Sequence, residues 1–339
     1  MTKQLKMAFI GCGGIARAHW RGIERHVPEI IVTACIDENA DAARAFSRLT
    51  GAQAFQSLDE ALGSGDFDAV DIMLPHDLHE TTALACFAAD KHVCLEKPLA
   101  HTLDSALRIL DAAEAQDKVF MIAEQAHYWP DVHKAAELIQ AGAIGEVLTA
   151  RAFFFDPLPA ESSASKPWRY FIDRAGGGIS IDGGAHWIRP MRLMLGEITD
   201  VLAVTQSQIE EMEGESLAHA IFRFNSGLIG TFQALMKGGA TGPIEDFRIT
   251  GTEGEIIIER GRAGRLMLYN ADAPQGSVIM KEVYTGKVDS FGAELKDFSQ
   301  AVLAGTQLAA TPRYALGELR TARAMYESTR TGGWASVWS

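Results

Sequence analysis

Met7-Ala8-Phe9-Ile10-Gly11-Cys12-Gly13-Gly14-Ile15-Ala16 decides the fold. Four apolar residues read as a short buried strand. A glycine turn follows, and a helical stretch then runs to about His26. Glycines at 11 and 13 permit a tight turn and let a pyrophosphate approach the backbone, while the helix start supplies N–H groups and a positive dipole end. A second, β-branched run, Ile30 to Ile36, closes on Asp37, 21 residues after Ala16. A carboxylate there can accept hydrogen bonds from ribose hydroxyls and would repel a 2′-phosphate. Alone, Gly-x-Gly-x-x-Ala is weak; between a strand and a helix, with Asp37 in place, it predicts an NAD site, with NADP as the second choice.

Outward from this unit the alternation continues. Helices are expected at 40–49, at 78–89 and at 103–116, and Ser57-x-x-Glu60 is a capping box for a short helix. Strands are expected at 69–74, 92–95 and 119–123. Strands alternating with helices imply an α/β, doubly wound parallel sheet covered on both faces. The first domain is therefore placed at 1–124. The remainder, 125–339, is expected to be an α+β substrate and oligomerisation domain. It opens with a helix at 131–141 and a strand at 146–155. Strand-like runs at 199–208, 216–224, 228–236, 247–250 and 255–259 are joined by hairpin turns and imply a large, mostly antiparallel open sheet. Two helices, 291–303 and 313–329, close the chain. The stretch 156–168, with three prolines and three serines, reads as a loop over the substrate. In the 216–224 strand Leu217 and Ile221 alternate with Ala218, Ala220, Phe222 and Phe224. Both faces are thus apolar, and a homodimer or homotetramer is expected.

Composition sets limits. The 339 residues carry 31 Lys plus Arg against 44 Asp plus Glu, a net charge of −13, and 47% are hydrophobic. Such a chain repels phosphate backbones and anionic membranes, so neither nucleic acid nor membrane is expected as a partner. Cys12, Cys35, Cys86 and Cys94 have no C-x-x-C spacing and read as reduced core residues of a cytoplasmic protein.

Two segments carry chemistry. Glu96-Lys97-Pro98 follows a sheet strand, at the end that faces a ligand crevice. Lys97 there can donate to a substrate oxygen; the segment alone reads equally as a surface turn. Gly176-Gly177-Gly178-Ile179-Ser180-Ile181-Asp182-Gly183-Gly184-Ala185-His186 spaces Asp182 and His186 four apart, one face of a helix. Two glycines between them cost a helix about 1 kcal/mol each, which points to close approach by another group. His186 can take and return a proton near neutral pH, with Asp182 to orient it. Trp168-Arg169, just upstream, suits a hydroxylated ring or a carboxylate. No histidines and carboxylates stand in a recognised zinc spacing, and no metal is expected.

In order and spacing these segments resemble the Gfo/Idh/MocA family, named for glucose–fructose oxidoreductase and inositol dehydrogenase. The resemblance runs through Gly11-x-Gly13-x-x-Ala16, Leu74-Pro75-His76-Asp77-Leu78-His79, Glu96-Lys97-Pro98, Trp168-Arg169 and Asp182-x-Gly184-x-His186. It implies a Rossmann domain, a nicotinamide cofactor and a sugar, cyclitol or related polyol whose secondary hydroxyl is oxidised. Lys97, Asp182 and His186 are implied as catalytic, with His186 the acid/base and Lys97 on the reacting oxygen. Gly11, Gly13, Gly14, Ile15, Ala16, Asp37, Leu74, Pro75, His76, His79, Glu96, Lys97 and Gln125 are implied around the cofactor. The substrate set is Lys97, His127, Trp168, Arg169, Asp182 and His186. The chain departs from the family pattern at His76, where many relatives have Asn, and at Gln125-Ala126-His127-Tyr128, where relatives often read Asn-x-Arg-Phe. The same residues fit two alternatives: a glycosidase that retains NAD and oxidises its sugar transiently, or a non-enzymatic nucleotide-dependent regulator.

Overall fold

The computed structural model describes residues 3–157, 167–238, 244–261 and 263–339. Most of the proposed substrate loop, 158–166, lies outside the described residues. The chain forms two compact units, one of residues up to Gln125 plus Asp289–Leu316, the other of Ala126–Val288 plus Gly317–Ser339.

In the first unit, strands and helices alternate as the sequence predicts. The order is β1 (Leu5–Ile10), α1 (Gly14–His26), β2 (Ile30–Ile36), α2 (Ala40–Thr50), β3 (Gln53–Phe55), α3 (Leu58–Ser64) and β4 (Ala69–Ile72). There follow α4 (His79–Ala88), β5 (His92–Glu96), α5 (Leu103–Glu114) and β6 (Phe120–Ala123). The sheet order is β3-β2-β1-β4-β5-β6, every pair parallel. Order reverses beside β1, which pairs with both β2 and β4, and the carboxyl ends there form the ligand crevice of such sheets. Every residue of β4 and β6 is buried, as expected for a sheet covered on both faces. Local signals set the helix starts: Asn39 accepts from the amides of Asp41 and Ala42, and Ser57 accepts from that of Glu60.

The expected division at 124/125 differs from this in one respect. Residues Asp289–Leu316 belong with the first unit, because the helix to which they contribute brings Leu295 and Phe298 into the core of Phe9, Ala16 and Ile23. Both side chains are fully buried there. Chain order alone does not reveal that a late helix returns to an early core.

The second unit holds α6 (Pro130–Gln140), β7 (Val147–Pro157), α7 (Ile172–Ala175) and α8 (Ala185–Leu195), then β8 (Ile198–Gln206), β9 (Leu217–Phe224) and β10 (Ile229–Lys237). β11 (Glu245–Gly251), β12 (Gly254–Glu259), β13 (Arg265–Asn270), β14 (Ala273–Lys281), α9 (Val283–Ala304), α10 (Leu316–Thr331) and β15 (Ala335–Ser336) complete the chain. The nine-stranded sheet runs β14-β13-β12-β11-β7-β10-β9-β8-β15. β7 pairs in parallel with β10, and the other pairs are antiparallel. β13, β14 and the short β3 and β15 were not expected; in β14, Gly276 and the polar residues of 273–277 mask the alternation. On β9, Ala218, Ala220, Phe222 and Phe224 are buried while Ile221 lies on the opposite, open face, with Val204 of β8 61% exposed. All four cysteines are buried and free. Among the described residues no helix is long and apolar enough to cross a membrane.

Candidate active site

The cofactor half is built at the end of β1. Gly11 has φ +93°, and a Cβ there would meet the Met73 carbonyl oxygen at 2.4 Å, so only glycine makes the turn. Gly13 and Gly14 differ, because a Cβ on either would enter open space. They leave the approach to the start of α1 open. No side chain caps that helix and no acidic residue stands in its first turn. An anionic pyrophosphate fits this donor set. Asp37 accepts from the Cys12 amide at 2.9 Å through Oδ2 and from the Asn39 amide at 2.9 Å through Oδ1. It thus ties the end of β2 to the glycine turn, and each oxygen keeps a lone pair for a ribose hydroxyl.

The next two loops need corrections. His79 does not line a cofactor with its ring. It is fully buried, with Nδ1 2.9 Å from the Pro98 carbonyl and Nε2 3.1 Å from that of Leu74. Burial pushes its pKa down, against the pull of the two carbonyls, which lie on the Leu74–Pro75 loop and on the segment after β5. His76 is buried edge-on against it, ring centroids 5.6 Å apart, while Leu74 and Pro75 stay partly exposed. Glu96 is also turned inward, 7% exposed, against His19 rather than toward a ligand. Lys97 is partly exposed and its peptide bond to Pro98 is cis. Gln125 is partly exposed, and its Oε1 accepts from Ser290 at 3.4 Å.

In the second unit the glycine run is held by a residue the sequence did not single out. Glu215, 7% exposed, accepts from the Gly178 amide at 2.9 Å, the Ser180 amide at 2.8 Å and the Tyr326 hydroxyl at 3.1 Å. Its own carbonyl accepts from the Ile179 amide at 2.8 Å. Burial raises its pKa, against the pull of these donors. A Cβ on Gly178 would lie 2.0 Å from the Glu215 carbonyl oxygen. The partner itself lay 37 residues away and carried no local mark.

Helix α8 starts only at Ala185, so Asp182 lies in the turn before it and does not share a helix with His186. Gly183 packs under the Phe154 ring and Gly184 against the Ser180 carbonyl, which keeps 181–184 as a turn. Asp182 accepts from Arg169 Nε at 2.7 Å, and the guanidinium lies 4.3 Å from the Trp168 ring. Asp182 is thus part of a Trp168–Arg169–Asp182 assembly. Arg169 and Asp182 line a cavity of about 250 Å³ with Tyr170, Met212 and Met236. His186, partly exposed, is the second residue of α8. His127 is 9% exposed, packed edge-on to Tyr128 and His133, and its carbonyl accepts from His133 Nε2 at 2.6 Å.

A doubly wound parallel sheet with an open glycine cradle, joined to a second α+β unit carrying Asp182 and His186, defines a nicotinamide-dependent oxidoreductase. Residues 5–124 match the oxidoreductase family with the NAD-binding Rossmann fold, and residues 132–257 match the GFO/IDH/MocA C-terminal domain. The chain belongs to the Gfo/Idh/MocA family. It is similar to a levoglucosan dehydrogenase of Pseudarthrobacter phenanthrenivorans, 27% identical with 86% of this chain and 83% of that one covered. It is also similar to a myo-inositol 2-dehydrogenase of Thermotoga maritima, 25% identical with 89% of each covered. The crystal structure of an oxidoreductase from Thermotoga maritima superposes with a TM-score of 0.87 over 99% of both chains at 27% identity.

Proposed function

We propose that the protein oxidises a secondary hydroxyl of a sugar, cyclitol or related polyol with NAD, or reduces the corresponding carbonyl. The observation that carries this is the Arg169–Asp182 pair on the cavity wall, in a chain that also holds Lys97 after β5 and His186 on α8. The pair offers a carboxylate acceptor and guanidinium donors side by side, and Trp168 offers a flat apolar face. That combination suits a hydroxylated ring. In the oxidative direction the hydroxyl proton passes to His186 as the hydride leaves carbon. Lys97 donates a hydrogen bond to the same oxygen while charge builds on it. Nicotinamide, when bound, supplies the hydride acceptor. Asp37 favours NAD over NADP, because its carboxylate would face a 2′-phosphate. We also assign the open face of the second unit's sheet, with Val204 and Ile221, to contact with a second copy of the chain. Light scattering that finds only monomer at micromolar concentration would reject that assignment.

The test is a panel of sugars, cyclitols and sugar acids, followed by NADH absorbance with NAD and NADP in parallel. The expected result is turnover of at least one hydroxylated ring compound with kcat/KM higher for NAD. A clear NADP preference would remove Asp37 from its role, and no turnover across the panel would overturn the substrate class.

A further inference from the structure

A second group of ionisable residues lies under the cofactor half. His19, on α1, is fully buried. Its Nδ1 is 2.8 Å from Asp71 Oδ2 on β4, and its Nε2 is 3.0 Å from Glu96 Oε1 at the end of β5. Glu294, also fully buried, places Oε1 3.6 Å from Nε2, and neither of its oxygens has a hydrogen-bond partner. Glu124, after β6, is 2% exposed, Cys94 of β5 is fully buried, and the Phe291 ring packs 5.6 Å from the imidazole. Three carboxyl groups thus stand around one imidazole in the buried interior, with Glu124 acting on Glu294, and an uncompensated charge is strongly disfavoured there.

Ionised carboxylates only accept hydrogen bonds. With a carboxylate oxygen on each ring nitrogen, the ring satisfies both only by carrying both hydrogens. The electrostatics agree. Burial alone would lower the His19 pKa, but Asp71, Glu96 and Glu294 outweigh it and hold it well above the usual range. Burial, helped by Glu96, Glu124 and Asp71, raises the Glu294 pKa against the pull of His19.

We infer that His19 is a positioning residue for Lys97, clamping Glu96, the residue before it, to Asp71 and to the helix that begins at the glycine turn. The clamp fixes the end of β5 by charge-assisted hydrogen bonds in a buried site, where such bonds are strong. His19, Glu96 and Glu294 each also offer one ligand atom within 4.8 Å of the others', a spacing a divalent cation can span. The direct 3.0 Å contact between His19 and Glu96 favours the proton as occupant.

This inference rests on the proposed role of Lys97, and the experiment separates the two. His19→Gln should lower kcat by about tenfold or more, since a displacement near 1 Å can cost up to about 10². Dissociation of NAD should change by less than about threefold, and KM for substrate should change less than kcat. In a Lys97→Ala background, His19→Gln should lower kcat no further. Full additivity there would overturn the clamp, whereas a harmless Lys97→Ala would instead sink the role of Lys97. If His19→Gln does not fold, the wild-type holoenzyme still decides. With ¹⁵N-labelled histidine, both His19 ring nitrogens should report attached hydrogens from about pH 5.5 to 9, across the ordinary histidine range. A ring that titrates near its ordinary value, or a stoichiometric divalent metal in elemental analysis, would overturn the inference.

Discussion

The two glycine-rich turns do opposite things with the same residue. At Gly13 and Gly14 the missing side chains leave empty space in front of a helix start. At Gly177, Gly178 and Gly183 the space is already filled, by the Tyr326 hydroxyl, the Glu215 backbone and the Phe154 ring. The first turn is open so that a ligand can approach. The second is closed so that the protein can approach itself and hold Asp182 and the start of α8 in place. Glycine in a functional segment therefore marks close approach, and only the structure tells which partner comes close.

If that contrast holds, the largest effect should come from the closed turn. Gly178→Ala sets a Cβ 2.0 Å from a backbone oxygen that cannot swing away, and should cost at least about 3 kcal/mol or abolish folding. Thermal unfolding of the variant measures it; a change below about 1 kcal/mol would mean that the turn is not closed in this way. Glu215→Gln comes next. Its amide can still accept from one backbone N–H but leaves the other unpaired, so about 1–3 kcal/mol should be lost, with NAD affinity intact. The smallest effect on stability belongs to the open turn. Gly13→Ala should leave the unfolding midpoint nearly unchanged, within about 1 kcal/mol, and weaken NAD binding by about tenfold. Equal NAD affinity in a folded Gly13→Ala protein would show that the cradle is not where the pyrophosphate lies.

The legibility of the chain follows the same line. Local determinants were readable: the turn at Gly11, the Ser57 cap, the period of strands and helices, and the carboxylate at Asp37. Features decided by distant contacts were not. Glu215 reaches Gly178 across 37 residues, and His19 meets Glu96 across 77 and Glu294 across a still longer stretch. Nothing in the neighbourhood of a buried acid announces which amide or imidazole it will meet. His79 and Glu96 were misplaced at the cofactor for the same reason. Both sit beside exposed loop residues in sequence, yet both face inward, where carbonyls and an imidazole satisfy them. Asp182 and His186 were read as one helix face by their spacing, yet α8 starts only at Ala185, after the glycines.

In the proposed reaction His186 takes the proton and Lys97 donates to the oxygen. The direct measurement is kcat for His186→Ala and for Lys97→Ala on the best substrate, with NAD dissociation measured on the same samples. Each variant should lose at least about 10²-fold in kcat while NAD affinity changes little. Near-wild-type turnover in His186→Ala, with NAD binding intact, would contradict the account and leave Lys97 as the base.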